Sequence, residues 1–342
     1  MRHEAIGRCL TAAVLAVAPL SLMAQGQGVG PARPFSFAAI GDAPYEPVVG
    51  GRQQYPVPAY EALIAKINSD ADVAFSVHIG DIKAGNTLCE NVVYSQNLAY
   101  FNSFAKPLIF TPGDNEWTDC HRANNGNMDP LDRLQLIRDT FYPHNKSLGQ
   151  TTIPLFKDKQ PYVENSVWTE KPAMFIALHM PGSNNNRDRR TGTWVDATDA
   201  EYTARNASNM AFLDDQLKKA TLDPQIKLVV IAAQANPFDR FLESGQGYTV
   251  SGYGDFIAKI RAWVEANPSK RMLYIHGDTH TARFEPKLTP VYPSATQLTP
   301  AGTPYPNFAR LEVYAQTAAF ANWFKVSVNP DGTYAVTVVP AP

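Results

Sequence analysis

Cysteine is scarce in this chain: there are three among 342 residues, too few for a scaffold built from disulfides. Charge of one sign is also missing. The formal net charge is −2, so no basic surface lays claim to nucleic acid or to an anionic membrane. Beyond residue 24 no apolar run is long enough to span a bilayer. No internal repeat and no low-complexity tract occurs, which excludes stacked-repeat architectures. There is no Gly-x-Ser-x-Gly elbow, and Ala43 rather than serine follows the first Gly-Asp, which argues against a serine esterase of the GDSL type.

What is present suits a globular enzyme-sized chain. It is 44% hydrophobic and 18% charged, with 27 prolines and 21 glycines for long ordered loops. Residues 1–24 read as an export signal: Arg2 and Arg8 precede the apolar run Cys9 to Ala24, which ends in small residues. Residues 25–34 are a Gly/Pro linker, and residues 35–342 read as one domain. Export to the periplasm or the exterior leaves Cys89 and Cys120 in an oxidising compartment, either as a disulfide or as two buried thiols.

Five Gly-Asp pairs occur where composition alone gives about one. Four of them close an apolar run: FAAIGD (Asp42), VHIGD (Asp81), LIFTPGD (Asp114) and LYIHGD (Asp278), the last followed by His280. An apolar run that stops at glycine reads as a buried strand entering a tight loop. In an α/β sheet such loops gather at the carboxyl ends of the strands, where ligands bind. Four carboxylates and an imidazole meeting there repel one another unless cations lie between them. The fifth pair, Gly254-Asp255, opens a helix, with Asp255 the expected N-cap.

Between these strands lie helices. Tyr60, Leu63, Ile64 and Ile67 share one face, and Leu131, Leu134, Ile137 and Phe141 mark another helix capped by Asp129 with Pro130 at its first position. Residues 144–168 read as irregular, and helices follow near 199–220 and around Phe256 to Val264. The tail, Arg310 to Tyr314, Trp323 to Val328 and Tyr334 to Val339, reads as antiparallel strands with an Asp-Gly turn.

The order of motifs resembles the calcineurin-like metallophosphoesterases. Their Asp-x-His, Gly-Asp, Gly-Asn-His-Asp/Glu, strand-end His and Gly-His-x-His correspond to Asp42-Ala43-Pro44, Gly80-Asp81, Gly113-Asp114-Asn115-Glu116, Gln234 and Gly277-Asp278-Thr279-His280. The resemblance covers roughly residues 35–284 and implies a four-layer α/β/β/α sandwich in which two metal ions hydrolyse phosphate mono- or diesters. Carried over by position, Asp81 would bridge the ions, Asp42 and His280 would complete the first, and Asp114, Asp278 and Gln234 would serve the second. Asn115 falls where the family's leaving-group histidine stands, with Glu116 to orient it.

The departures have chemical consequences. Pro44 has no ligating side-chain atom, and Tyr45 is the neighbouring substitute. A carboxylate-rich set favours Mn²⁺, Mg²⁺ or Ca²⁺ over Zn²⁺ or Fe. Arg122 is a candidate contact for substrate phosphate or an ion-pair partner of Glu116 or Asp119. Arg187, Arg189 and Arg190 are candidates of the same kind or solvated loop charge. His179 ends a strand and either faces the site or is a satisfied structural histidine. The expected partner is a small phosphoester. With Pro44, Asn115 and Gln234 in place of histidines, the alternative is a metal-stabilised binding module of weak or no activity.

Overall fold

The computed structural model describes residue 1 and residues 32–187, 198–238, 251–288, 302–316 and 322–340. The export signal, most of the linker, Arg189 and Arg190 lie outside the described residues.

The first half runs β1 (Phe35–Ile40), a hairpin of β2 (Val48–Val49) and β3 (Arg52–Gln53), α1 (Pro58–Ser69), β4 (Val73–His78), α2 (Asn91–Phe101), β5 (Leu108–Phe110) and α3 (Pro130–Phe141). It continues with β6 (Phe156–Lys157), β7 (Ser166–Glu170), β8 (Ala173–Ala177), the single turn α4 (Gly182–Asn185) and α5 (Thr198–Leu222). Then come β9 (Leu228–Ala232), α6 (Gly254–Ala266), β10 (Arg271–His276), β11 (Arg283–Pro286), β12 (Phe308–Glu312), β13 (Asn322–Val328) and β14 (Tyr334–Pro340).

Two mixed sheets face each other. One has the order β14-β13-β1-β4-β5 and the other β11-β12-β10-β9-β8-β7-β6. Alternation along each strand assigns its two faces. In β1, Phe37 and Ala39 enter the layer between the sheets, while Ala38 and Ile40 pack outward on Tyr60, Leu63 and Ile64 of α1. Both faces are therefore covered, which is why the run FSFAAI carries almost no polar residue. The inter-sheet layer is held by aromatic contacts: Phe37 stacks on Phe75 at 5.4 Å, and Phe175 meets Phe75 edge-on at 5.0 Å. Emptying a site such as Phe75 to alanine costs about 3–5 kcal/mol.

The outer layers are α1, α2 and α3 on one side and α5 and α6 on the other. The four-layer α/β/β/α sandwich follows. Asp129 caps α3 through a bond from the Leu131 amide at 2.9 Å, but Leu131 itself is exposed and the buried face is Leu134, Ile137 and Phe141. Asp255 does not cap α6. Tyr253 holds the N-cap position, and Asp255 sits in the first turn, accepting from Asn206 at 3.0 Å.

Two readings of the chain need correction. The segment 144–168 contains β6 and the start of β7, too short or too irregular to show a period. In the tail, β13 and β14 pair antiparallel, but β12 lies in the opposite sheet, antiparallel to β11 and parallel to β10. Its parallel neighbour β10 is buried along nearly its whole length, and β12 is buried throughout.

Candidate metal centre

The strands β1, β4 and β5 are parallel, as are β8, β9, β10 and β12, so each set delivers its carboxyl ends to one edge. Asp42, Asp81 and Asp114 leave the first sheet there, and Gln234, Asp278 and His280 leave the second. The turns are tight. Asp42, Asp81, Asp278 and His280 have φ of 47°, 56°, 75° and 56°. That left-handed region is open to glycine and, among other residues, chiefly to Asn and Asp, which explains the residue type at three of the four positions.

Asp42, Asp81 and His280 each bring one ligand atom within 4.8 Å of the others, a group that could hold a metal ion. The donor set of two carboxylates and an imidazole suits a divalent cation. The electrostatics point the same way. Burial, then the neighbouring carboxylates Asp114 and Asp42, push Asp81 well above the usual carboxylate range. Burial and the charges of Glu312, Asp114 and Glu116 do the same to Asp42 against a bond from the Asp278 amide. Negative charge concentrated away from water is what a bound cation relieves.

Close approach is made possible by glycine. A Cβ on Gly277 would lie 2.6 Å from both carboxylate oxygens of Asp42. One on Gly182 would lie 2.5 Å from Asp278 Oδ1 and 2.8 Å from Asp114 Oδ2.

The remaining expected residues have distinct placements. Asn115 grips Asp81, its amide on Oδ1 at 3.3 Å and its side chain on Oδ2 at 2.9 Å. Glu116 accepts from the Gly113 amide at 2.6 Å and the Asp81 amide at 3.2 Å, so it ties the two loops together rather than orienting Asn115. Burial raises its carboxyl to about 7 against those bonds. Gln234 does not present a carbonyl to the site. Its Oε1 accepts from the Gly182 amide and its Nε2 donates to Asp114 Oδ1 at 3.0 Å. Arg122 pairs with Asp119 at 2.7 Å, and Arg187 bonds the Ser251 carbonyl and covers Tyr202.

His179 takes the structural alternative. Its ring is fully buried against Trp117, and Nδ1 meets Glu164 at 2.8 Å. Burial lowers its basicity. Burial alone would raise Glu164, but bonds from His179 and Arg138 hold it at about 2. His179 is not in the Asp42–Asp81–His280 group, and its buried Nε2 makes no hydrogen bond.

Three residues at the site, Ser183, Lys83 and Asn125, went unread in the sequence, and Asp119 was read there only as a partner of Arg122. Ser183 donates to Asp114 Oδ2 at 2.7 Å and Asp119 Oδ1 at 2.8 Å. It starts a run, Ser183 to Asn186, in which all four φ values are positive, between 47° and 60°. Burial and Asp114 raise Asp119 to about 7, with Arg122 opposing. Lys83 and Asn125 are buried beside them. The Ser-Asn-Asn-Asn run was a legible sign of left-handed backbone. Tyr45 does reach the centre, its hydroxyl 3.1 Å from Asp81 Oδ2 and 3.2 Å from His280 Nε2. The expected disulfide is present: Cys89 and Cys120 are bonded, and both sulfurs lie on the Asn115 carbonyl.

No family model and no curated protein matches this chain. Among solved structures it is similar to PhoD, with TM-score 0.51 and 13% identity over 92% of this chain and 70% of that one. It is also similar to the purple acid phosphatase PPD1 from yellow lupin (Lupinus luteus) seeds, with TM-score 0.52 and 11% identity over 93% of this chain. The chain spans about half of the lupin protein, 52% of its length. The likeness is one of fold. The chain has the α/β/β/α fold of the calcineurin-like metallophosphoesterases, with the Asp42–Asp81–His280 group at its strand edge.

Proposed function

We propose that this protein is an exported, divalent-metal-dependent hydrolase acting on a small phosphate mono- or diester. The observation that supports it most is the convergence of Asp42, Asp81 and His280 from both sheets at the carboxyl edge of this fold. Asp42, Asp81 and His280 would hold the ion, with Mn²⁺, Mg²⁺ or Ca²⁺ favoured by the oxygen-rich donors. When bound, it would supply positive charge to polarise a phosphoryl oxygen and to acidify a nearby water. The protein's own groups do the rest. Asn115 and Tyr45 fix the orientation of Asp81, and Glu116 locks the two Gly-Asp loops in register. Arg122, paired with Asp119, would meet charge on the substrate.

Export rests on the pattern of residues 1–24 and on the disulfide, which persists in an oxidising compartment. Among the described residues no helix is long and apolar enough to cross a membrane. A second reading, a metal-stabilised binding module, is favoured by Asn115 and Gln234, neutral amides committed to carboxylates where the resemblance implies a leaving-group imidazole and a ligating one. Hydrolysis of simple phosphomonoesters and diesters, with and without Mn²⁺, separates the two. Turnover that disappears in Asp81→Asn supports the enzyme; metal bound with no turnover on either ester class supports the module.

A further inference from the structure

In the second sheet β12 lies between β10 and β11. Its last residue, Glu312, pairs with His276, which ends β10, and with Arg283, which opens β11. The connecting loop, 277–282, carries Asp278 and His280 and therefore has to arch over the end of β12. Three of its residues are left-handed: Asp278 at φ 75°, His280 at 56° and Ala282 at 27°. Asp and His enter that region more readily than alanine, but each such conformation persists only where the surroundings over-determine it.

Glu312 supplies the hold, from a side chain that is wholly buried. Its Oε1 accepts from the Thr279 hydroxyl at 2.6 Å and from the Thr281 amide at 2.8 Å. Its Oε2 accepts from Arg283 through Nε and a terminal guanidinium nitrogen, both at 3.0 Å. The Thr279 hydroxyl in turn accepts from Asn236 Nδ2 at 2.7 Å, in the loop after β9. The gripped residues 279, 281 and 283 alternate with the left-handed residues 278, 280 and 282. One carboxyl group therefore fixes the backbone on both sides of His280, whose own side chain stays exposed beside Asp42 and Asp81. The exit of β12 also reaches the first sheet, where the Gln316 amide donates to the Asp42 carbonyl at 2.9 Å.

We propose that Glu312 is a positioning residue of the metal centre: it clamps the arch in the conformation that delivers His280 to Asp42 and Asp81. Released from it, His280 and Ala282 would relax toward right-handed or extended backbone, and the imidazole would leave the group. The inference rests on the metal-centre reading above.

A double-mutant cycle, read by calorimetric titration of the stripped, full-length protein with Mn²⁺, tests it. Glu312→Ala should weaken binding about 100-fold, and the milder Thr279→Val, at a half-buried position, about 10-fold. In a His280→Ala background neither change should weaken binding by more than about twofold, because the loop it holds no longer carries the ligand. Equal losses in both backgrounds would make Glu312 a general support of the fold and overturn the proposal. Unchanged affinity in Thr279→Val overturns it too, and that variant decides alone should Glu312→Ala not fold. Either of these results, with wild type binding Mn²⁺, leaves the metal-centre reading standing. No binding by wild type removes both.

Discussion

The Tyr45 hydroxyl donates to Oδ2 of Asp81 at 3.1 Å, next to a proline that can ligate nothing. The same hydroxyl lies 3.2 Å from His280 Nε2, so one side chain steadies two members of the group. Orientation of ligands from outside commonly matters about tenfold in metal affinity. Tyr45→Phe should therefore bind Mn²⁺ about 10-fold more weakly while folding normally, since the loop stays fixed by bonds from the Tyr45 and Glu46 amides to Gln316. Unchanged affinity in calorimetry would remove Tyr45 from the centre.

Stabilisation by metal should depend on pH. Asp42 and Asp81 are both held well above the usual carboxylate range by burial first and neighbouring carboxylates besides, against a bond from the Asp278 amide in the case of Asp42. An acid raised in the folded state keeps its proton there while the unfolded chain has lost it. Its contribution is therefore intact below the unfolded value and erodes as pH rises, until a cation takes the proton's place. The rise in melting temperature on adding Mn²⁺ should be near zero close to pH 4 and grow steadily toward about pH 8. A shift independent of pH, or one that shrinks, would show that these carboxylates do not bind the ion.

Gly182 separates Asp278 from Asp114, and a Cβ there would sit 2.5 Å from one and 2.8 Å from the other. Neither is the far end of a long, adaptable side chain. Gly182→Ala should push both loops apart and lower kcat/KM about 100-fold, equivalent to about 2.7 kcal/mol of barrier. Activity within a factor of about two of wild type would mean that the spacing of these carboxylates is irrelevant to turnover.

The disulfide joins residues 31 apart in sequence, and both sulfurs rest on the Asn115 carbonyl. A loop of that size contributes about 3–4 kcal/mol in the chain-entropy treatment. Cys89→Ser with Cys120→Ser should lower the melting temperature and, through Asn115, weaken Mn²⁺ binding. Loss of stability with metal affinity intact would confine the bond to folding.

The strand edges were legible because a buried strand shows as an unbroken apolar run and a left-handed exit shows as Gly-Asp. Asp42, Asp81, Asp114 and Asp278 all meet where the run-and-glycine pattern placed them. Long-range pairing was not legible. Nothing in Phe308 to Glu312, a short strand whose apolar residues are interrupted by Arg310 and Glu312, distinguishes a place in the far sheet from one beside β13. The direction of an amide is equally hidden, so Gln234 read as a carbonyl donor, whereas its oxygen goes to the Gly182 amide. His179 read ambiguously because its partner, Glu164, lies in a segment with no periodicity.

The most direct measurement is phosphate release from a monoester and a diester by the stripped protein, titrated with Mn²⁺, in wild type and His280→Ala. His280 is exposed at the rim, so its removal leaves the core untouched. The expected result is turnover in wild type that saturates with Mn²⁺, and a shift of that saturation to much higher metal in His280→Ala. Hydrolysis that is metal-independent, or a Mn²⁺ response identical in the two proteins, would contradict a centre built on Asp42, Asp81 and His280.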